Sequence, residues 1–127
     1  MPAQLLILSI SVCLASLVSA AMAQPICSPL PPPSGTIVEV DPDDAGQLKS
    51  RISSAGSGTT ILLHDGFYDM SSGGSSQLVF ATPGVTLRSF SGDRGAVILD
   101  GGYGTGELVS IYASNVTIAD LTLQRAY

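Results

Sequence analysis

Charge is what this sequence has least of. Asp, Glu, Lys and Arg make up 12% of it, against about 25% in an average soluble domain. The shortage is mainly of cations, with 5 Lys and Arg against 10 Asp and Glu in 127 residues. A nucleic-acid surface needs clustered cations, so that partner is excluded. A polyanionic substrate docking here without a metal is also disfavoured. That second argument is the weaker, because exposed charges are screened beyond about 8 Å at physiological salt. Cysteine is nearly absent, with only Cys13 and Cys27. There is no CxxC, no Cys/His cluster and no zinc spacing. The chain also lacks a Ser/His/Asp set, a phosphate loop and a cysteine nucleophile.

What is present begins with a leader. Residues 1–23 carry no charged side chain, and Leu5 to Val18 is largely apolar. The run ends in Ala21-Met22-Ala23, the small residues a signal peptidase accepts, so cleavage is expected after Ala23. Val18-Ser19-Ala20 is a second candidate. No basic residue precedes the apolar run, and an uncleaved membrane anchor is the alternative, since about 20 apolar residues can span a bilayer. Val12 before Cys13 and Ile26 before Cys27 argue against a lipoprotein. With Cys13 removed in the leader, Cys27 stands alone, and any partner is expected on another chain or on further sequence. Residues 24–35 are proline-rich, with Pro31-Pro32-Pro33 favouring polyproline II, and read as a stiff linker.

From Thr36 the patterning is that of a folded domain. Thr36–Val40 is a β-branched strand ended by Asp41-Pro42. Asp44 and Gln47 have the spacing of a capping box. Ala45, Leu48, Ile52 and Ala55 then share one helical face, and Gly56 is the expected left-handed stop, giving a helix of about three turns. No second helical stripe exists, so this one must pack on strands. Short strands follow at Thr60–Leu63, Phe67–Met70, Leu78–Phe80, Val85–Leu87, Val97–Leu99, Leu108–Ile111, around Val116–Ile118 and at Leu121–Gln124. A Ser/Gly loop occupies 71–76, and Asp100–Gly106 is a second loop.

The most informative feature is a repeat. Leu78, Phe80, Val85, Leu87 and Phe90 recur as Val109, Ile111, Val116, Ile118 and Leu121, each 31 residues on. A repeat of this length belongs to stacked architectures. In each copy the last two strand residues are two apart, and the next apolar residue is three further on. An odd step reverses the face in a continuous strand, so a corner is expected at Ser89 and at Asp120, keeping Phe90 and Leu121 inward. Gly84 and Asn115 coincide, both tolerant of a left-handed turn.

With these residues in view, Thr36–Tyr127 resembles the start of a right-handed parallel β-helix of the pectin-lyase-like superfamily. The matching stretches are the amphipathic helix, Gly58–Tyr68, Gly84–Ser89 with Ser91-Gly92, Val97–Gly101 and Asn115–Leu123. The resemblance implies an all-β solenoid whose first turn is capped by that helix. It also implies that the chain is the front part of a longer protein, since Leu121–Gln124 is followed by neither cap nor charged block. It is nearly silent on activity, because the fold hosts lyases, glycosidases, epimerases, esterases and non-catalytic proteins.

No catalytic, cofactor-binding or metal-binding residue is assigned. His64-Asp65 joins a base to a carboxylate, yet adjacent strand residues point to opposite faces, and the pair reads as a turn before Gly66. Asp41, Asp43 and Asp44, or Asp93 and Asp100, offer calcium oxygens. The first group fails the spacing of a calcium loop, and the second reads as turns. The resemblance allows calcium but locates no site for it. Lyases of this class use Lys or Arg beside a uronate carboxylate. Arg88 and Arg94 read instead as an exposed, solvated face. Asn115-Val116-Thr117 is formally a glycosylation acceptor, and the turn reading covers both copies. Two functions are expected: an exported polysaccharide-processing enzyme with its active site outside this segment, or a non-catalytic secreted or surface protein acting in adhesion or glycan binding. Contact with a membrane is expected only through the leader during export.

Overall fold

The computed structural model describes residues 28–71, 77–104 and 106–127. The expected leader, Cys27 and residues 72–76 lie outside the described residues. Pro31–Tyr127 form one compact unit. It contains β1 (Ile37–Val40), a 3-10 turn (Pro42–Gln47), α1 (Leu48–Ser53), β2 (Thr60–Leu63), β3 (Gly66–Asp69), β4 (Leu78–Phe80), β5 (Thr86–Ser89), β6 (Val97–Asp100), β7 (Val109–Ile111), β8 (Thr117–Ala119) and β9 (Thr122–Gln124).

The unit is mostly strand, in parallel sheets, with little helix. Sheet A runs β1-β2-β5-β8, sheet B runs β3-β6-β9 and sheet C pairs β4 with β7. From β2 onward the chain visits A, B and C in fixed rotation. A parallel pair cannot be closed by a hairpin: β1 and β2 are joined through the 3-10 turn and α1, and every later pair is joined only after the chain has passed through the other two sheets. The repeat lands in direct register: Leu78 opposes Val109, Phe80 opposes Ile111 and Leu87 opposes Ile118.

Burial follows the strand period of two. Ile61, Leu63, Leu87, Tyr68, Leu99, Leu78 and Phe80 point into one shared core, with Val116, Ile118 and Leu121 partly covered against it. Tyr68 is the one core phenol. Its hydroxyl donates to the Val40 carbonyl at 2.7 Å and to the His64 carbonyl at 2.9 Å, and burial pushes its pKa well above the usual phenol value. His64-Asp65 is the short connection from β2 to β3, as the turn reading expects. A Cβ at Gly66 would overlap the Pro42 ring, so the corner needs glycine.

The helical stripe is present: Ala45, Leu48 and Ile52 are buried and Ala55 packs beside them. Helix α1 lies on β4, and the 3-10 turn lies on β3. The segment differs from the expected three-turn helix in being 3-10 over its first half, where Pro42 and Gly46 weaken a regular helix. Gln47 Nε2 donates to the Asp44 carboxylate at 2.9 Å, and no side chain bonds a terminal amide as a capping box requires. The left-handed residue is Gly58, φ 78°, and not Gly56. The helix stops earlier because the hydroxyls of Ser50, Ser53 and Ser54 bond the carbonyls of Gln47, Ser50 and Arg51.

Gly84 (φ 76°) and Asn115 (φ 56°) are both left-handed, and the Gly84 amide donates to the Ser114 carbonyl at 3.0 Å. Asp120 (φ 56°) makes the second expected corner. Ser89 does not make the first. It is the last residue of β5 and points inward, its hydroxyl accepting the Gly92 amide, and the left-handed residue falls at Gly92. Phe90 is therefore outside, 56% exposed, where Leu121 is half-covered against the core. A small polar residue fills the inner position in one copy, so the aromatic is not needed there.

The two placements are separable by unfolding measurements. Leu99→Ala should cost about 2–5 kcal/mol, as for a buried leucine. Phe90→Ala should cost under about 1 kcal/mol, as for a surface residue. A Phe90→Ala cost as large as that of Leu99→Ala would contradict the outward placement.

Candidate functional site

Three groups of polar side chains stand out, each at the end of a strand. The first lies past the end of sheet B, where the register places Asp69, Asp100 and Gln124 side by side. Asp100 is 1% exposed. Its carboxylate accepts from Arg125 Nε at 2.8 Å on both oxygens, from Gln124 Nε2 at 2.5 Å and from the Gly102 amide at 2.8 Å. Arg125 also lies over the Tyr103 ring, 5.9 Å from its centroid. The Arg125 hydrogen bonds hold the Asp100 carboxyl below the usual carboxylate value, and Asp100 in turn raises the Arg125 guanidinium. Asp69 accepts from the Ser71 hydroxyl at 2.5 Å and the Ser71 amide at 2.8 Å, and these bonds lower it as well.

The second group sits at the corner between sheets A and B. His64 Nε2 is 2.9 Å from Glu39 Oε2, and its ring stacks on Phe90 with centroids 4.6 Å apart. One residue along, Ser91 Oγ donates to Asp65 at 2.6 Å. The third group is Gln77, Glu107 and Ser110 beside sheet C, with Gln77 Nε2 2.8 Å from Glu107 and 2.7 Å from Ser110 Oγ.

The remaining candidates fall as follows. The Asp44 amide donates to the Asp41 carbonyl, and both residues belong to the start of the 3-10 turn along with Asp43. Asp93 accepts the Gly95 amide at 2.8 Å. Arg94 is exposed, and its carbonyl accepts from Thr122 Oγ1. Arg88 corrects the expectation of a solvated face. Its side chain is only 14% exposed, with Nη1 2.9 Å from the Pro31 carbonyl and Nη2 3.4 Å from Asp120. Thr60 Oγ1 reaches the Ser34 carbonyl at 3.5 Å. The end of the proline-rich stretch thus lies on sheet A instead of standing clear as a spacer.

Sequence reasoning missed the Asp100–Arg125 pair. A signal was available, because Asp69 and Asp100 are opposed across sheet B at the same spacing of 31 as the apolar repeat. Arg125 had none, since its partner is set by strand pairing.

Acid–base work on a glycosidic bond needs one protonated and one ionised carboxyl. Asp69 and Asp100 are both held ionised, and Arg125 already neutralises Asp100. They close turns and fasten β9 to β6. Among the described residues no three His, Cys, Asp or Glu side chains come together. Among the same residues, no helix is long and apolar enough to cross a membrane. Comparison with family models, with curated proteins and with solved structures finds no match to this chain.

The depressed Asp100 pKa has a definite pH sign. Its stabilisation is complete above the unfolded value of about 3.9 and is lost as pH falls through the lower folded value. Asp100→Asn should therefore lower the denaturation midpoint at pH 7 and narrow the gap between the midpoints at pH 7 and pH 3. An unchanged gap would show that the pair contributes nothing on folding.

Proposed function

We propose that this chain is the opening part of an exported right-handed parallel β-helix protein of the pectin-lyase-like kind, acting on polysaccharide. The leader at 1–23 and its cleavage after Ala23 belong to this reading. One observation supports it above the rest: three parallel sheets visited in fixed rotation, with a 31-residue repeat in direct register. The packing of α1 on β4 supports the capping role that this reading gives the helix. In this reading the processing chemistry, by lyase, glycosidase or epimerase, is carried by residues outside this segment.

A second reading is a β-helix that binds glycan on a surface without cleaving it. The observation favouring it is that Asp69 and Asp100, the one pair of carboxylates opposed in the register, are both held ionised. The two readings agree for this segment alone. The exported chain should be retained on at least one insoluble cell-wall polysaccharide. It should release no reducing ends or unsaturated products from soluble ones. Failure to bind any glycan across a panel of neutral and acidic polysaccharides would remove the glycan-binding reading of this segment. Cleavage by this chain would remove the assignment of chemistry elsewhere.

A further inference from the structure

We propose that the Phe90 ring, at the corner between sheets A and B, is a stacking platform for a neutral sugar residue of a polysaccharide chain. The inference deepens the glycan-binding reading above and rests on it. Phe90 directly follows β5, which is paired on both edges, with β2 and with β8. The ring is nonetheless 56% exposed. It opens the connection from Ser89 to Val97, where the preceding circuit needs only Leu63 to Gly66.

The ring is fixed before any ligand arrives. The Phe90 amide donates to the Leu63 carbonyl at 2.8 Å. The His64 ring stacks on it, with centroids 4.6 Å apart and planes 27° apart. His64 is anchored in turn, its Nε2 2.9 Å from Glu39 Oε2. Beyond Phe90 in the chain, Ser91 Oγ donates to Asp65 at 2.6 Å and the Gly92 amide donates to Ser89 Oγ at 3.1 Å. A surface side chain held in this way has little freedom left to lose on binding.

The surroundings select the ligand. A pyranose has a flat face of C–H groups and a rim of hydroxyls. The C–H face suits an exposed phenyl ring, and the hydroxyls need acceptors. Glu39, Asp65 and Ser91 are exposed around the corner, and a carboxylate already bonded once still has lone pairs to offer. The carboxylates of Glu39, Asp65 and Asp93 outnumber the exposed guanidinium of Arg94. That balance disfavours a uronate chain. A cation would find only a weak site on an exposed phenyl, and it would compete with His64 and Ser91 for Glu39 and Asp65.

Affinity electrophoresis of the exported full chain tests this, in gels holding a neutral β-glucan, a neutral galactan or polygalacturonate. The expected result is retardation by at least one neutral polymer and less by polygalacturonate. Phe90→Ala should weaken that binding about tenfold or more with an unchanged circular dichroism spectrum. Phe90→Trp should retain it. Phe67→Ala, which removes a 50% exposed ring from β3, should leave it unchanged. Glycan binding indifferent to Phe90→Ala would overturn the platform and leave the glycan-binding reading standing. So would an equal loss with Phe67→Ala, a loss with Phe90→Trp as deep as with Phe90→Ala, or a preference for polygalacturonate. Binding to none of the glycans, with or without binding to polylysine, would overturn both.

Discussion

Everything in this unit depends on parallel backbone pairing between segments that arrive a full circuit of the chain later. The bond from the Thr117 amide to the Val85 carbonyl is one example, and the bond from the Leu78 amide to the Leu108 carbonyl is another. Neither can form locally, since parallel neighbours need a long crossover. Each circuit must also deliver the next strand in phase. A slip of one residue would turn Leu87 or Leu99 to solvent. The left-handed turns at Gly84 and Asn115, and the glycine at 66 under Pro42, are the local solutions to that demand.

The low charge of the sequence has a counterpart in what its carboxylates do. Asp69, Asp93 and Asp100 each accept the amide two residues further on, from Ser71, Gly95 and Gly102. Such short-range bonds close turns. Asp100 does more, because Arg125 and Gln124 converge on it from beyond β6. The result is a buried, neutralised anchor and not a reactive group. A buried pair of this kind is costly to break, since the carboxylate left behind would be unpaired.

Much of the architecture was legible in the residues. The strands at Thr60–Leu63 and Leu78–Phe80, the apolar stripe of the helix and the register of the repeat all follow from periodicity. Those features are averages over several residues, which is why they survive. The misplacements concern single positions. Phe90 was expected inside because it matches Leu121, yet Ser89 satisfies its own hydroxyl with Gly92 and keeps the inner place. Arg88 was expected in solvent, and the Pro31 carbonyl that reaches it is 57 residues away in the chain. Arg125 is likewise explained only by its partner 25 residues earlier. The polar groups depend on individual long-range contacts, and composition and spacing do not encode those.

The circuits of sheet A are unequal in length. Thr60 opposes Ile37, 23 residues back; Thr86 opposes Thr60, 26 back; Thr117 opposes Thr86, 31 back. Yet Val38, Ile61, Leu87 and Ile118 all meet in a single column. The connections therefore absorb changes in length while the strands hold phase. For an evolving gene this separates two kinds of change. Insertions between strands can accumulate and acquire surface chemistry without repacking the interior, whereas an insertion of one residue within a strand is selected against at once. The connection from sheet A to sheet B, Ser89 to Val97 against Leu63 to Gly66, is where this variation has already appeared.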